Sequence, residues 1–136
     1  MGEPLQDIAK LLNNLPDSDL PSVYVDTIPQ PGRLPYVLLS RLDSNIDRYF
    51  GPVGSAFQSL DFQVEIWEVG PGKGGAESAW EHYEEIKQAL ELQDVDGYDG
   101  IVFRLAPPRT NILEGNYFEI VSPWRFFFDE SALNGE

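Results

Sequence analysis

The sequence predicts an α+β domain: a mostly antiparallel sheet of about five strands, with an N-terminal helix and one main helix packed on one face. Three observations carry that class. Leu60, Phe62, Val64 and Ile66 alternate with Ser59, Asp61, Gln63 and Glu65, the period of a strand that buries one face. After the run Gly70-Pro71-Gly72-Lys73-Gly74-Gly75 the period changes, and Ala76, Ala79, Trp80, Tyr83, Ile86 and Leu90 recur at spacings of three and four, a helical stripe able to cover that face. The order helix, strand, strand, long strand, helix, strand, strand favours helices layered on an antiparallel sheet, because right-handed parallel crossovers would need more helices.

Each element has its own grounds. Residues 4–15 read as a helix with Leu5, Ile8, Leu11 and Leu12 on one side and Asp7 near its positively polarised start; Pro16 ends it. Residues 22–26 form a β-branched and aromatic run short enough for an edge strand. The prolines of 28–35 exclude regular structure and direct the chain into a strand at 36–41, whose near-continuous apolar core predicts cover on both sides or a central place. Residues 43–56 fit no period and are expected to be an exposed loop or hairpin extension, with Tyr49 and Phe50 either folding back on the core or meeting a partner. The long strand and the 76–92 helix follow. Ile101, Phe103 and Leu105 alternate with Val102 and Arg104, and residues 115–129 carry Phe118, Ile120, Trp124, Phe126 and Phe128 around Pro123, which cannot donate to a ladder and is expected at a bulge or an edge. Residues 1–3 and 130–136 are expected to fray.

With 136 residues, 42% of them hydrophobic, the chain fits one domain spanning 1–136. Nine lysines and arginines against 23 aspartates and glutamates give a formal charge of −14, which repels phosphate backbones and argues against binding nucleic acid or anionic membrane. With no cysteine, disulfides, thiolate catalysis and thiolate metal sites are excluded. No apolar run approaches the roughly 20 residues of a membrane helix, and residues 1–10 lack the basic start and apolar core of a signal peptide.

Candidate chemistry fails one test after another. The glycine-rich corner sits where a phosphate loop would, but Lys73 is followed by Gly74 rather than the serine or threonine that would hold magnesium. His82 and Glu85 have the spacing of two helical metal ligands, yet no second pair is visible, and a solvated helix face explains the cluster. No Gly-x-Ser-x-Gly elbow occurs. Catalytic, cofactor and metal residues are therefore expected to be absent. Charge is more informative: between Asp61 and Asp99 lie eleven acids against Lys73 and Lys87, while Arg33, Arg41, Arg48, Arg104, Arg109 and Arg125 lie outside that stretch. Beyond simple solubility, such an acidic face suits a basic partner or a passage that DNA crosses without sticking, and opposed acidic and basic sides suit head-to-tail contacts in a ring.

Taken in order, Val23-Tyr24-Val25 with Ile28-Pro29-Gln30, the Leu34-Pro35-Tyr36-Val37 strand entry, and Phe62-Gln63-Val64-Glu65-Ile66-Trp67 followed by glycines and a helix resemble the tail terminator, or tail completion, proteins of long-tailed bacteriophages. The resemblance covers roughly residues 5–105; a longer 44–56 insertion and an extended 115–129 end depart from the pattern. It implies a structural protein of the virion neck, assembled in the host cytoplasm as a homo-hexameric ring. Its partners would be the tail tube protein and a head-completion or connector protein. DNA would pass through the lumen without sequence-specific binding. Arg48, Tyr49, Phe50, Trp67 and Lys73 are the expected subunit or partner contacts, Trp67 because it falls on the polar face of its strand, packing beneath the helix or a loop being its alternative. Another head-tail joining protein and a small bacterial binding domain are the alternatives.

Overall fold

The computed structural model describes residues 3–28, 34–42, 47–50, 56–69, 74–95, 97–113 and 117–129, with the backbone alone at 47–50, 56–57 and 113. Two helices and seven strands follow in the order α1 (Pro4–Asn13), β1 (Val23–Val25), β2 (Tyr36–Arg41), β3 (Asp47–Phe50), β4 (Ala56–Val69), α2 (Gly75–Leu90), β5 (Gly100–Arg104), β6 (Arg109–Leu113) and β7 (Tyr117–Asp129). The expected α+β class holds, with both helices on one face of one sheet.

The sheet is built around β4 and β7, which pair antiparallel without a break from Phe57 opposite Asp129 to Val69 opposite Tyr117. Each has a second neighbour made of two segments. Along β4, β2 pairs from Tyr36 opposite Trp67 to Arg41 opposite Phe62, and β3 continues the same edge from Asp47 opposite Ser59 to Phe50 opposite Ala56. Along β7, β5 pairs from Arg104 opposite Trp124 to Gly100 opposite Phe128, and β6 from Arg109 opposite Val121 to Leu113 opposite Tyr117. β1 adds to β2 as the sole parallel pair among the described strands. The row β1-β2-β4-β7-β5 is the expected five, while β3 arises inside the stretch read as a loop or hairpin extension and β6 where no strand was expected.

The core lies on the helix side. Phe62, Val64 and Ile66 of β4, Ile120, Trp124, Phe126 and Phe128 of β7, Val37 and Leu39 of β2, and Val102 of β5 are fully buried there, under Leu5 and Ile8 of α1 and Ala79, Ile86 and Leu90 of α2. Each such side chain contributes on the order of 1.5–3 kcal/mol by leaving water. α1 begins at Glu3, whose carboxylate accepts the Gln6 N–H at 2.9 Å, with Pro4 in the first turn where its missing N–H costs nothing. Arg41 pairs with both Glu3 and Asp26, which ties the start of α1 to β2. At the other end the Asn13 amide accepts from the Val23 N–H at 2.9 Å and donates to its carbonyl at 3.0 Å, imitating a neighbouring strand on the exposed edge of β1.

Four expectations need correction. Trp80 is 39% exposed, and His82 takes its place in the inward stripe of α2, because the buried face is Gly75, Ala79, His82, Tyr83, Ile86 and Leu90. In β5 the inward residue is Val102; Ile101 and Leu105 face solvent, since the chain leaving α2 ties to Val102 through a Leu92 N–H bond of 2.7 Å to its carbonyl. β2 is covered on one face only, burying Val37 and Leu39 while Tyr36 and Leu38 stay half-buried, although it does take the interior place offered as the alternative, between β1 and β4. Pro123 sits in the unbroken β4–β7 ladder, neither bulged nor at an edge. Its carbonyl accepts the Leu105 N–H at 2.9 Å, so its nitrogen faces the gap between β5 and β6, where no ladder donor is required. Among the described residues no helix is long and apolar enough to cross a membrane.

Candidate functional site

The face of the sheet away from the helices carries the densest group of functional side chains. The odd-numbered residues of β4 and β7 point there, so Trp67 stands on the uncovered face and not beneath a helix. Its indole stacks on Tyr36, directly opposite in β2, at 6.0 Å and 23°, and Tyr36 meets Tyr24 edge-on at 6.5 Å. Aromatic pairs across neighbouring strands add roughly 0.2–1 kcal/mol each, so this three-ring row stiffens the β1-β2-β4 side.

Beside the row are two carboxyls. Glu65 accepts from Ser40 Oγ at 3.0 Å and from the Trp67 indole N–H at 3.3 Å, and Glu119 accepts from the Asn111 amide at 3.0 Å. Trp67 is opposite Glu119 and Glu65 opposite Val121, which makes the two glutamates diagonal neighbours. Burial pushes the Glu119 carboxyl above the usual range, and its hydrogen bond and charge contact with Glu65 push the same way against the opposing pull of Asn111 and Arg109. The Tyr36 hydroxyl is raised as well, first by burial and then by the charges of Glu65 and Glu119. Farther along the face Arg125 forks onto Asp61, its register partner, at 2.7 and 3.0 Å. Exposed Val69, Ile101 and Tyr117 complete an amphipathic surface suited to contact rather than to bond making.

The histidine is elsewhere and differs from expectation. His82 is buried between α2 and the end of β4, its Nε2 3.1 Å from Glu68 Oε2 and its Nδ1 without a partner. Glu85, its supposed co-ligand, instead accepts a hydrogen bond from Ser18 Oγ. No group of three or more histidines, aspartates or glutamates among the described residues could hold a metal. Of the predicted contacts, Trp67 is thus placed on the open face. Arg48, Tyr49 and Phe50 lie in β3, whose side chains fall outside the described residues, as does Lys73 altogether. Sequence reasoning missed Glu119, for which polarity within an apolar strand was the only signal, and Trp80, whose flanking glutamates were visible but whose direction was not.

No protein-family model matches the chain, and no curated protein matches it. Among solved structures, a chain from the virion of a native gene transfer agent particle superposes with a TM-score of 0.57 over 90% of this chain and 84% of that one, at 19% identity. The likeness is one of fold.

Proposed function

We propose that the chain is a structural protein of a phage-like virion that caps the head-proximal end of the tail tube, stops tube growth and joins the tail to the head connector. The observation that carries this reading is the fold shared across 90% of the chain with a chain of the gene transfer agent virion. The ordered motifs from residue 5 to 105 narrow it to the neck. The mechanism is geometric. Six copies form a ring; one side matches the last ring of tube protein, and the other does not repeat that side, so no tube subunit can add. Trp67, with its Tyr36 stack, supplies a rigid aromatic contact on the open face, and Arg48, Tyr49, Phe50 and Lys73 supply contacts from the β3 hairpin and the glycine corner. An acidic lumen repels the DNA backbone and lets it slide, with no sequence-specific binding and no membrane partner.

Native mass spectrometry of the purified chain, alone and with tail tube protein, tests the reading, with electron microscopy of the tubes. A hexameric ring on one tube end and tubes of fixed length are expected. A strict monomer that leaves tube length unchanged refutes it, and a ring that binds only the head connector assigns the chain to another position in the neck.

A further inference from the structure

We propose that the outer face of α2 around Trp80 is a docking groove for an arginine-bearing segment of a partner protein. This groove is on the opposite side of the molecule from Trp67 and does not depend on the virion assignment. It is a shallow concavity lined by Glu77, Trp80, Glu81, Glu84, Glu85 and Gln88. Trp80 lies 39% exposed, one position off the buried stripe, and its contact with Tyr83 is edge-type, 5.6 Å between ring centres at 84°. An exposed aromatic alone is ordinary; here it is the floor of a concavity whose other lining residues are four glutamates and a glutamine.

The rim is the independent observation. Glu77 and Glu81, and Glu81 and Glu85, are like charges one turn apart, a spacing that destabilises the isolated helix. Among the described residues no base pairs with Glu77, Glu81 or Glu84, and Lys87 is the one base on α2. Three of the described arginines pair elsewhere: Arg41 with Glu3 and Asp26, Arg104 with Glu91, Arg125 with Asp61. The rim therefore carries a net negative charge that a cationic partner complements. An aromatic floor inside a carboxylate rim selects a guanidinium, which stacks flat on an indole while its N–H groups fork onto carboxylates; an ammonium does only the charge part.

The test is an NMR titration of the whole 15N-labelled chain with a short amphipathic peptide carrying arginines, alongside the same peptide with lysine, citrulline or glutamate in their place. The Trp80 indole N–H and the α2 amides shift saturably with the arginine peptide, more weakly with lysine, and not with citrulline or glutamate; added salt reduces the effect. Trp80→Ala weakens binding about 3- to 30-fold, and Glu81→Gln with Glu84→Gln removes the salt dependence, both in chains whose remaining spectrum is unchanged. Equal binding of the citrulline peptide, a response at Trp67 instead of Trp80, or an unaltered affinity in Trp80→Ala overturns the proposal. A Trp80 signal that moves with chain concentration alone would assign the groove to a second copy and overturn it too.

Discussion

Gly100 is the glycine whose replacement the structure penalises most directly. A Cβ there would stand 2.2 Å from the Phe127 carbonyl oxygen, 2.6 Å from Phe128 Cα and 2.7 Å from Phe128 Cβ. The first two are backbone atoms of the central strand β7, so no rotamer change relieves them; β5 would have to move away by about 1 Å, the scale of shift that overpacking forces at a cost of about 1–3 kcal/mol. The upper end applies, because the movement also strains the Asp129 N–H bond to the Asp99 carbonyl at 2.8 Å and loosens Tyr98, which packs edge-on against Phe126 and Phe128 at 5.2 and 5.5 Å and bonds Asp7 of α1 at 2.7 Å. Gly97 is the internal control: its φ of +90° disfavours a side chain, but nothing lies within 4 Å, so Gly97→Ala carries only the conformational cost of about 1–2 kcal/mol. Urea unfolding of the two variants should rank Gly100→Ala lower by about 1 kcal/mol or more, with amide exchange in α1 and β5 accelerated only in Gly100→Ala. Equal stabilities, or a Gly100→Ala loss under about 0.5 kcal/mol, would refute the steric account.

Glu119→Gln should stabilise the fold at neutral pH. A carboxyl held above its ordinary value of 4.5 contributes stability that is full below that value and is lost as pH rises through the folded-state value, so the glutamine variant should lack that decline in a series of melts from pH 4 upward. Trp124→Ala, which empties a fully buried site, should cost about 3–5 kcal/mol in chemical denaturation, whereas Trp80→Ala on the exposed face should stay within about 0.5 kcal/mol. Asn13→Ala removes both bonds to Val23 and should cost about 1–2 kcal/mol while baring the β1 edge; earlier-eluting oligomers by size exclusion are the accompanying readout.

What the sequence revealed of this fold, and what it hid, divide along physical lines. β4 was legible because Leu60 to Ile66 alternate strictly and one face is wholly buried. β3 and β6 were not, because the sequences Asp47-Arg48-Tyr49-Phe50 and Arg109-Thr110-Asn111-Ile112-Leu113 carry no apolar alternation; they are strands because β4 and β7 outrun β2 and β5 and offer free ladder positions. The rotation of α2 was hidden for a different reason. Hydropathy places Trp80 inside and His82 outside, and only the carboxylate of Glu68, fourteen residues earlier in the chain, makes a buried histidine tolerable. Of the candidate site, the side of the sheet on which Trp67 stands followed from its parity with Gln63 and Glu65, whereas its Tyr36 stack and the diagonal Glu65–Glu119 contact depend on inter-strand register, which no local pattern encodes.

The two partly exposed indoles bear on how the chain would be used. Trp67 is held by a stacked tyrosine and a hydrogen bond to Glu65 on a flat sheet face, so it is already ordered before any partner arrives and loses little side-chain entropy on contact. Trp80 has an edge contact with Tyr83 and lies among the carboxylates of the proposed groove, which a basic ligand would complement. A rigid contact on one face suits a fixed neighbour in a permanent assembly, and a charge-gated groove on the opposite face suits a partner that joins later and whose arrival salt can tune. In a neck protein those demands correspond to a tube-side and a head-side contact. Loss of ring or tube binding in Trp67→Ala but not in Trp80→Ala would match this division, and the reverse pattern would exchange the two faces.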